Sequence, residues 1–180
     1  WIQEGAADQA GFSFLKKSNK SICGIVEFLK FLKTKETDGA KSAYIRSHPL
    51  TSERILDAQN AARNENCNQI QHSKKEIEEL KFIQAKLIGF TNPENTPNEI
   101  KNFNFNNDQK TYALAISNYK LSNLKKAINL IDLLIKKYPN NPYFYELKAQ
   151  IFRENGYLEK SLNHYVKTIQ MLPNDGLILI

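Results

Sequence analysis

The strongest constraint on the fold is a repetition at fixed spacing in the C-terminal part of this 180-residue chain. Pro139 and Pro173 are 34 residues apart, and the same offset relates Ala115 to Ala149, Ser122 to Gly156, Leu124 to Leu158, Lys126 to Lys160, Ala127 to Ser161 and Asn140 to Asn174. A period of that length fits two helices joined by a turn, a unit that cannot bury its apolar side alone and stacks on copies of itself. In the second copy Tyr145, Ala149 and Phe152 recur at helical spacing and Gly156 turns the chain. Leu158, Ser161, Leu162, Tyr165 and Ile169 then line a second helix that Pro173 closes. Small residues at Ala149 and Ser161 let the two helices approach closely. The first copy follows with Leu114 and Ala115, then Leu124, Ala127, Ile128, Ile131, Leu134, Ile135 and Pro139. It departs at Thr111 and Asn118, where large apolar groups are usual, which makes its first helix an atypical cap.

In length and pattern this segment resembles tetratricopeptide repeats, with copies over 108–141 and 142–175 and the start of a third at Gly176–Ile180. That resemblance implies a concave surface for a protein or peptide partner.

The rest of the chain also reads as helical, so the expected fold class is all-α. Residues 1–89 hold four helical segments. One covers 3–17. The second carries the apolar stripe Ile22, Ile25, Val26, Leu29 and Leu32. A third, capped by Thr51 or Ser52, runs through Ile55, Leu56 and Ala62. Ser73 and Glu76 form a capping box that opens the fourth, through Ile77, Leu80, Ile83 and Leu87, with Gly89 placed to stop it. Residues 90–107, with seven Asn and with Pro93 and Pro97, read as a linker.

Two clusters in the first zone bear chemistry. Glu4, Ala7, Asp8 and Gly11 form E-x-x-A-D-x-x-G, and His48-Pro49-Leu50 precedes Arg54. Together with the downstream repeats they resemble the C-terminal part of the HtpX and CAAX-prenyl-protease superfamily of zinc metallopeptidases, in the layout of its BepA-like periplasmic members. By that resemblance Glu4 is the third protein ligand of a zinc ion, and Asp8, one turn on, accepts the free N–H of a zinc-bound imidazole. His48 occupies the fourth zinc position or assists the tetrahedral intermediate, and Arg54 stabilises the oxyanion or binds substrate carbonyls. The residues alone also admit plainer readings: Glu4 and Asp8 as an acid pair on a solvated helix, His48-Pro49 as a loop corner, and Arg54 as a surface residue. His72 and His164 match no motif and read as surface or packing residues.

The His-Glu-x-x-His half of such a site occurs nowhere in the sequence. Glu4 and His48 alone do not build a stable zinc site, so the expectation is that this chain binds no zinc and hydrolyses nothing by itself, zinc belonging to a longer parent. Trp1 at one end and the apolar run Gly176–Ile180 at the other read as breaks in such a parent, with the missing helix upstream. The resemblance places that parent in the bacterial periplasm or cell envelope. The competing readings are a binding module whose first helices buttress the repeats, and a degenerate peptidase retained as a scaffold.

The net charge of +6 is diffuse, and only Arg46, Arg54, Arg63 and Arg153 could fork onto phosphates or guanine edges, so no nucleic-acid partner is expected. No stretch is apolar enough for a transmembrane segment. Cys23 and Cys67 lack the spacing of a structural zinc site; Cys23 reads as core, Cys67 lies in a polar stretch, and a disulfide between them is left open.

Overall fold

The computed structural model describes residues 2–37, 52–67 and 72–174. These residues are all-helical, with no strand among them. They form two compact units, Trp1–Gln71 and His72–Ile180.

In the first unit, α1 spans Ile2–Lys17, α2 Cys23–Thr37 and α3 Ser52–Ala61. The expected stripe is present: Ile22, Val26 and Leu29 are buried and meet Phe12 of α1 and Ile55, Ala58 and Ala62 of α3 and its end. Each of the large residues contributes about 1.5–3 kcal/mol by leaving water. The small Ala58 and Ala62 let α3 lie close to its neighbours. Asn19 takes a left-handed φ of 52° that ends α1, and the Lys20 N–H bonds back to the Leu15 carbonyl at 2.8 Å.

The N-terminus of α2 is tied down twice. Cys23 is core, as expected, and it also forms a disulfide with Cys67, 44 residues away. Beside it the Glu65 carboxylate accepts from the Ile22 N–H at 3.0 Å and from the Ser21 hydroxyl, while the Ser21 Oγ accepts from the Cys23 N–H at 3.0 Å. A carboxylate there meets the positive end of the helix dipole.

In the second unit, α4 spans Lys74–Thr91, α5 Thr96–Glu99 with a 3-10 turn Ile100–Asn102, α6 Asn107–Lys120, α7 Leu124–Lys137, α8 Pro142–Glu154 and α9 Leu158–Met171. The Ser73–Glu76 capping box opens α4 as expected. Two features of the sequence reading differ. First, α4 belongs with the second unit, since its buried Ala85 and Ile88 join the core of α6, α7 and α8. Second, Gly89 does not stop α4, which runs on to Thr91. Gly89 marks a close crossing instead: a Cβ there would lie 2.7 Å from the Ala113 carbonyl oxygen and 2.9 Å from the Ile116 Cβ. The Asn/Pro-rich stretch is ordered into α5 and its 3-10 turn, with Thr96, Ile100 and Phe105 buried. Its turn formers cap and bend the chain: Asn106 caps α6 by a second capping box with Gln109.

The 34-residue period is carried by the backbone. Helices α7 and α9 start at Leu124 and Leu158 and end at Lys137 and Met171. Helices α6 and α8 end at Lys120 and Glu154. The turns repeat as well: Ser122 and Gly156 take positive φ of 61° and 81°, and the N–H groups of Asn123 and Tyr157 bond back to Asn118 and Phe152. At the pair crossings Ala115, Ala127, Ala149 and Ser161 are all buried, and the Ser161 hydroxyl donates to the Ala149 carbonyl at 2.8 Å. Thr111 and Asn118 satisfy their polar groups on their own helix, bonding the Asn107 and Leu114 carbonyls. The apolar cover on α6 comes from α4, through Phe82 on Tyr112 at 5.9 Å.

Candidate functional site

Glu4 and Asp8 stand one turn apart on α1, and Arg54 lies in the first turn of α3. The core formed by Phe12, Ile55 and Ala58 holds the two helices together and so sets that face of α1 against the start of α3. Arg54 grips Asp8 with two donors, Nε to Oδ2 at 2.6 Å and Nη2 to Oδ1 at 2.9 Å. Its third nitrogen, Nη1, lies 3.2 Å from Oε2 of Glu4. The three side chains are only 15–23% exposed. A bidentate guanidinium in a partly dry setting is among the stronger ionic contacts a protein makes, and it fixes the orientation of both carboxylates.

Three of the four residues read from the sequence as a site therefore converge. His48 lies outside the described residues. Both oxygens of Asp8 accept from Arg54. The pairing had no signal in the sequence beyond opposite charges near the starts of two helices, because the contact spans 46 residues.

The fit of these residues to zinc can be tested on their chemistry. Among the described residues no group of three or more His, Cys, Asp or Glu side chains gathers as a metal cage. Glu4 and Asp8 are the available donors, and a guanidinium sits on both, which opposes a second cation at the same oxygens. The described residues do not by themselves make a zinc centre, and no catalytic step is assigned to them.

In the second unit, α4, α6 and the α7–α8 turn enclose an open groove of about 980 Å³. Its floor is aromatic. Phe82, Tyr112 and Phe144 meet edge to face at 5.2–5.9 Å. Burial pushes the Tyr112 hydroxyl well above the ordinary phenol range, so it stays protonated. Lys75, Lys86 and Lys137 stand at the rim, each with a carboxylate: Glu79 at 3.8 Å, Glu146 at 3.9 Å and Asp108 at 2.6 Å. Asp108 also accepts from the Tyr138 hydroxyl. Burial alone would raise its pKa, but the bonds from Lys137 and Tyr138 outweigh it and hold the carboxyl below its ordinary value.

His72 is exposed at the entry to α4, and His164 packs between α8 and α9, stacked on Phe152 with ring centres 5.6 Å apart. No described helix is long and apolar enough to cross a membrane. Comparison with protein-family models, with curated proteins and with solved structures finds no match to this chain.

Proposed function

We propose that this chain is the C-terminal part of a zinc metalloendopeptidase carrying a tetratricopeptide-type protein-binding module, with its other metal ligands supplied from upstream. The observation that carries the reading is the convergence of Glu4, Asp8 and Arg54 from α1 and α3. The E-x-x-A-D and H-P-L-x-x-x-R patterns supply these residues from separate helices, and their meeting across 46 residues supports reading the two patterns as parts of one site. In that role Glu4 would become the protein-derived carboxylate ligand only on giving up its contact with Arg54, while Asp8 keeps its two bonds to the guanidinium. His48 would close the site. The 34-residue backbone period supports the repeat assignment, and the Cys23–Cys67 disulfide fits an oxidising compartment such as the bacterial periplasm.

The test uses the full-length protein. It should contain about one zinc per chain, and Glu4→Gln should weaken zinc affinity and peptide hydrolysis by at least the roughly 10–100-fold that loss of a ligand's supporting partner costs. The 180-residue chain alone should show no zinc-dependent cleavage. A full-length sequence without His-Glu-x-x-His, or zinc-dependent cleavage by the chain alone, overturns the proposal.

One observation favours a second reading. The guanidinium between Glu4 and Asp8 also makes a self-sufficient structural clasp. A degenerate peptidase or a non-enzymatic scaffold would keep it for stability, and its full-length form would retain fold and partner binding after Glu4→Gln while containing no zinc.

A further inference from the structure

The two helix pairs of the second unit share a backbone, yet they differ at positions the framework does not dictate. Where the α6–α7 pair has Leu114, Leu130 and Leu133, the α8–α9 pair has Lys148, His164 and Lys167. Lys160 adds a third ammonium beside them. These groups are organised around aromatic rings. Lys167 Nζ lies 4.4 Å from the centre of the Tyr145 ring, and Lys148 and Lys160 each lie 5.7 Å from that of Phe152. Lys160 also reaches the Tyr157 ring at 5.2 Å, and His164 stacks on Phe152 with the ring planes 13° apart.

The charges of this surface are unevenly matched. Asp132 of α7 pairs with Lys148 at 2.6 Å. Among the described residues neither Lys160 nor Lys167 pairs with a carboxylate. Rings partly offset the charge of an ammonium, by about 0.5–1 kcal/mol where solvent reaches, and so leave it able to take an anion. The neighbouring groove offers a contrast, because each of its rim lysines already has its carboxylate. His164 responds to the same surroundings. Burial lowers its pKa first, Lys148 and Lys167 lower it further, and Asp132 alone among the neighbouring charges raises it.

We propose that this face of the α8–α9 pair binds an acidic segment of a partner protein, whose carboxylates engage Lys160 and Lys167. The proposal deepens the protein-binding reading of the second unit and rests on it. A nucleic acid fits less well. Single strands are held by bases stacking on free aromatic faces, whereas His164 and the lysines already sit on Phe152 and Tyr145.

The test measures polarisation of a fluorescein-labelled Glu/Gly peptide titrated with the protein, alongside a neutral aromatic peptide and a single-stranded oligonucleotide of matched charge. The acidic peptide should bind most tightly, weaken with added salt and shift the His164 ring signals in NMR spectra. Lys160→Glu with Lys167→Glu, both on exposed positions of α9, should weaken binding at least tenfold, about 1.4 kcal/mol or more, while unfolding stays a single cooperative transition whose midpoint falls only by the loss of the ring contacts. Binding of the neutral peptide instead of the acidic one overturns the proposal but leaves the protein-binding reading standing. Failure of both peptides, or tighter binding of the oligonucleotide, overturns both. Equal binding by the charge-reversed variant overturns the assignment of this face.

Discussion

Arg54 spends its guanidinium on two carboxylates of a single helix turn, and its effect on stability can be separated from any effect on chemistry. Two short bonds to Asp8 in a partly dry site suggest that Arg54→Met costs about 2 kcal/mol, the range for hydrogen bonds to charged groups. Asp8→Asn should cost a similar amount, and the double variant should lose much less than the sum, because the two changes remove one interaction. Urea unfolding of the four proteins checks this; additive losses would mean that the pair is not coupled. His164 gives a pH signature. Its pKa is lowered on folding, mainly by burial and then by Lys148 and Lys167. As pH falls below about 6.5 the unfolded chain takes up a proton that the folded chain resists, so stability is full above that value and declines below it. His164→Phe should flatten the stability profile between neutral and mildly acid pH while leaving the neutral value close to that of the parent.

The helices show what periodicity can and cannot convey. Starts and stops are local: the Ser73 capping box, the turn at Gly156 and the paired ends of α7 and α9 were all legible because each depends on residues within one turn. The partner of a helix is not local. The pattern of α4 showed an amphipathic helix, but nothing in it said that Ala85 and Ile88 would pack on α6. Gly89 was misread for the same reason, since a helix stop and a close crossing both call for a missing Cβ. The crossing predicts that Gly89→Ala, stabilising at an open position inside a helix, costs about 1–3 kcal/mol here by forcing α4 and α6 apart. Thermal unfolding checks it, and an unchanged midpoint would mean that the crossing accommodates the added methyl without cost. Asp8 and Arg54 were both legible as site residues, whereas their bond was not, because it depends on how α1 meets α3.

At the scale of the whole chain, all covalent cross-linking is confined to one unit. The second unit contains no cysteine, so a thiol reductant should act on the first alone. Opening a bridge between residues 44 apart removes about 4 kcal/mol of stability on the chain-entropy model. Hydrogen exchange should therefore quicken in α2 and α3 on reduction and stay unchanged in α8 and α9; equal acceleration in both would refute that confinement. The bridge has another consequence. It closes the backbone from Cys23 to Cys67 into a covalent ring that contains His48, Arg54 and all of α3. A protease that cuts once anywhere in that ring severs the chain without releasing either piece. The nicked protein should run as one band on a denaturing gel and part into two only after a thiol is added.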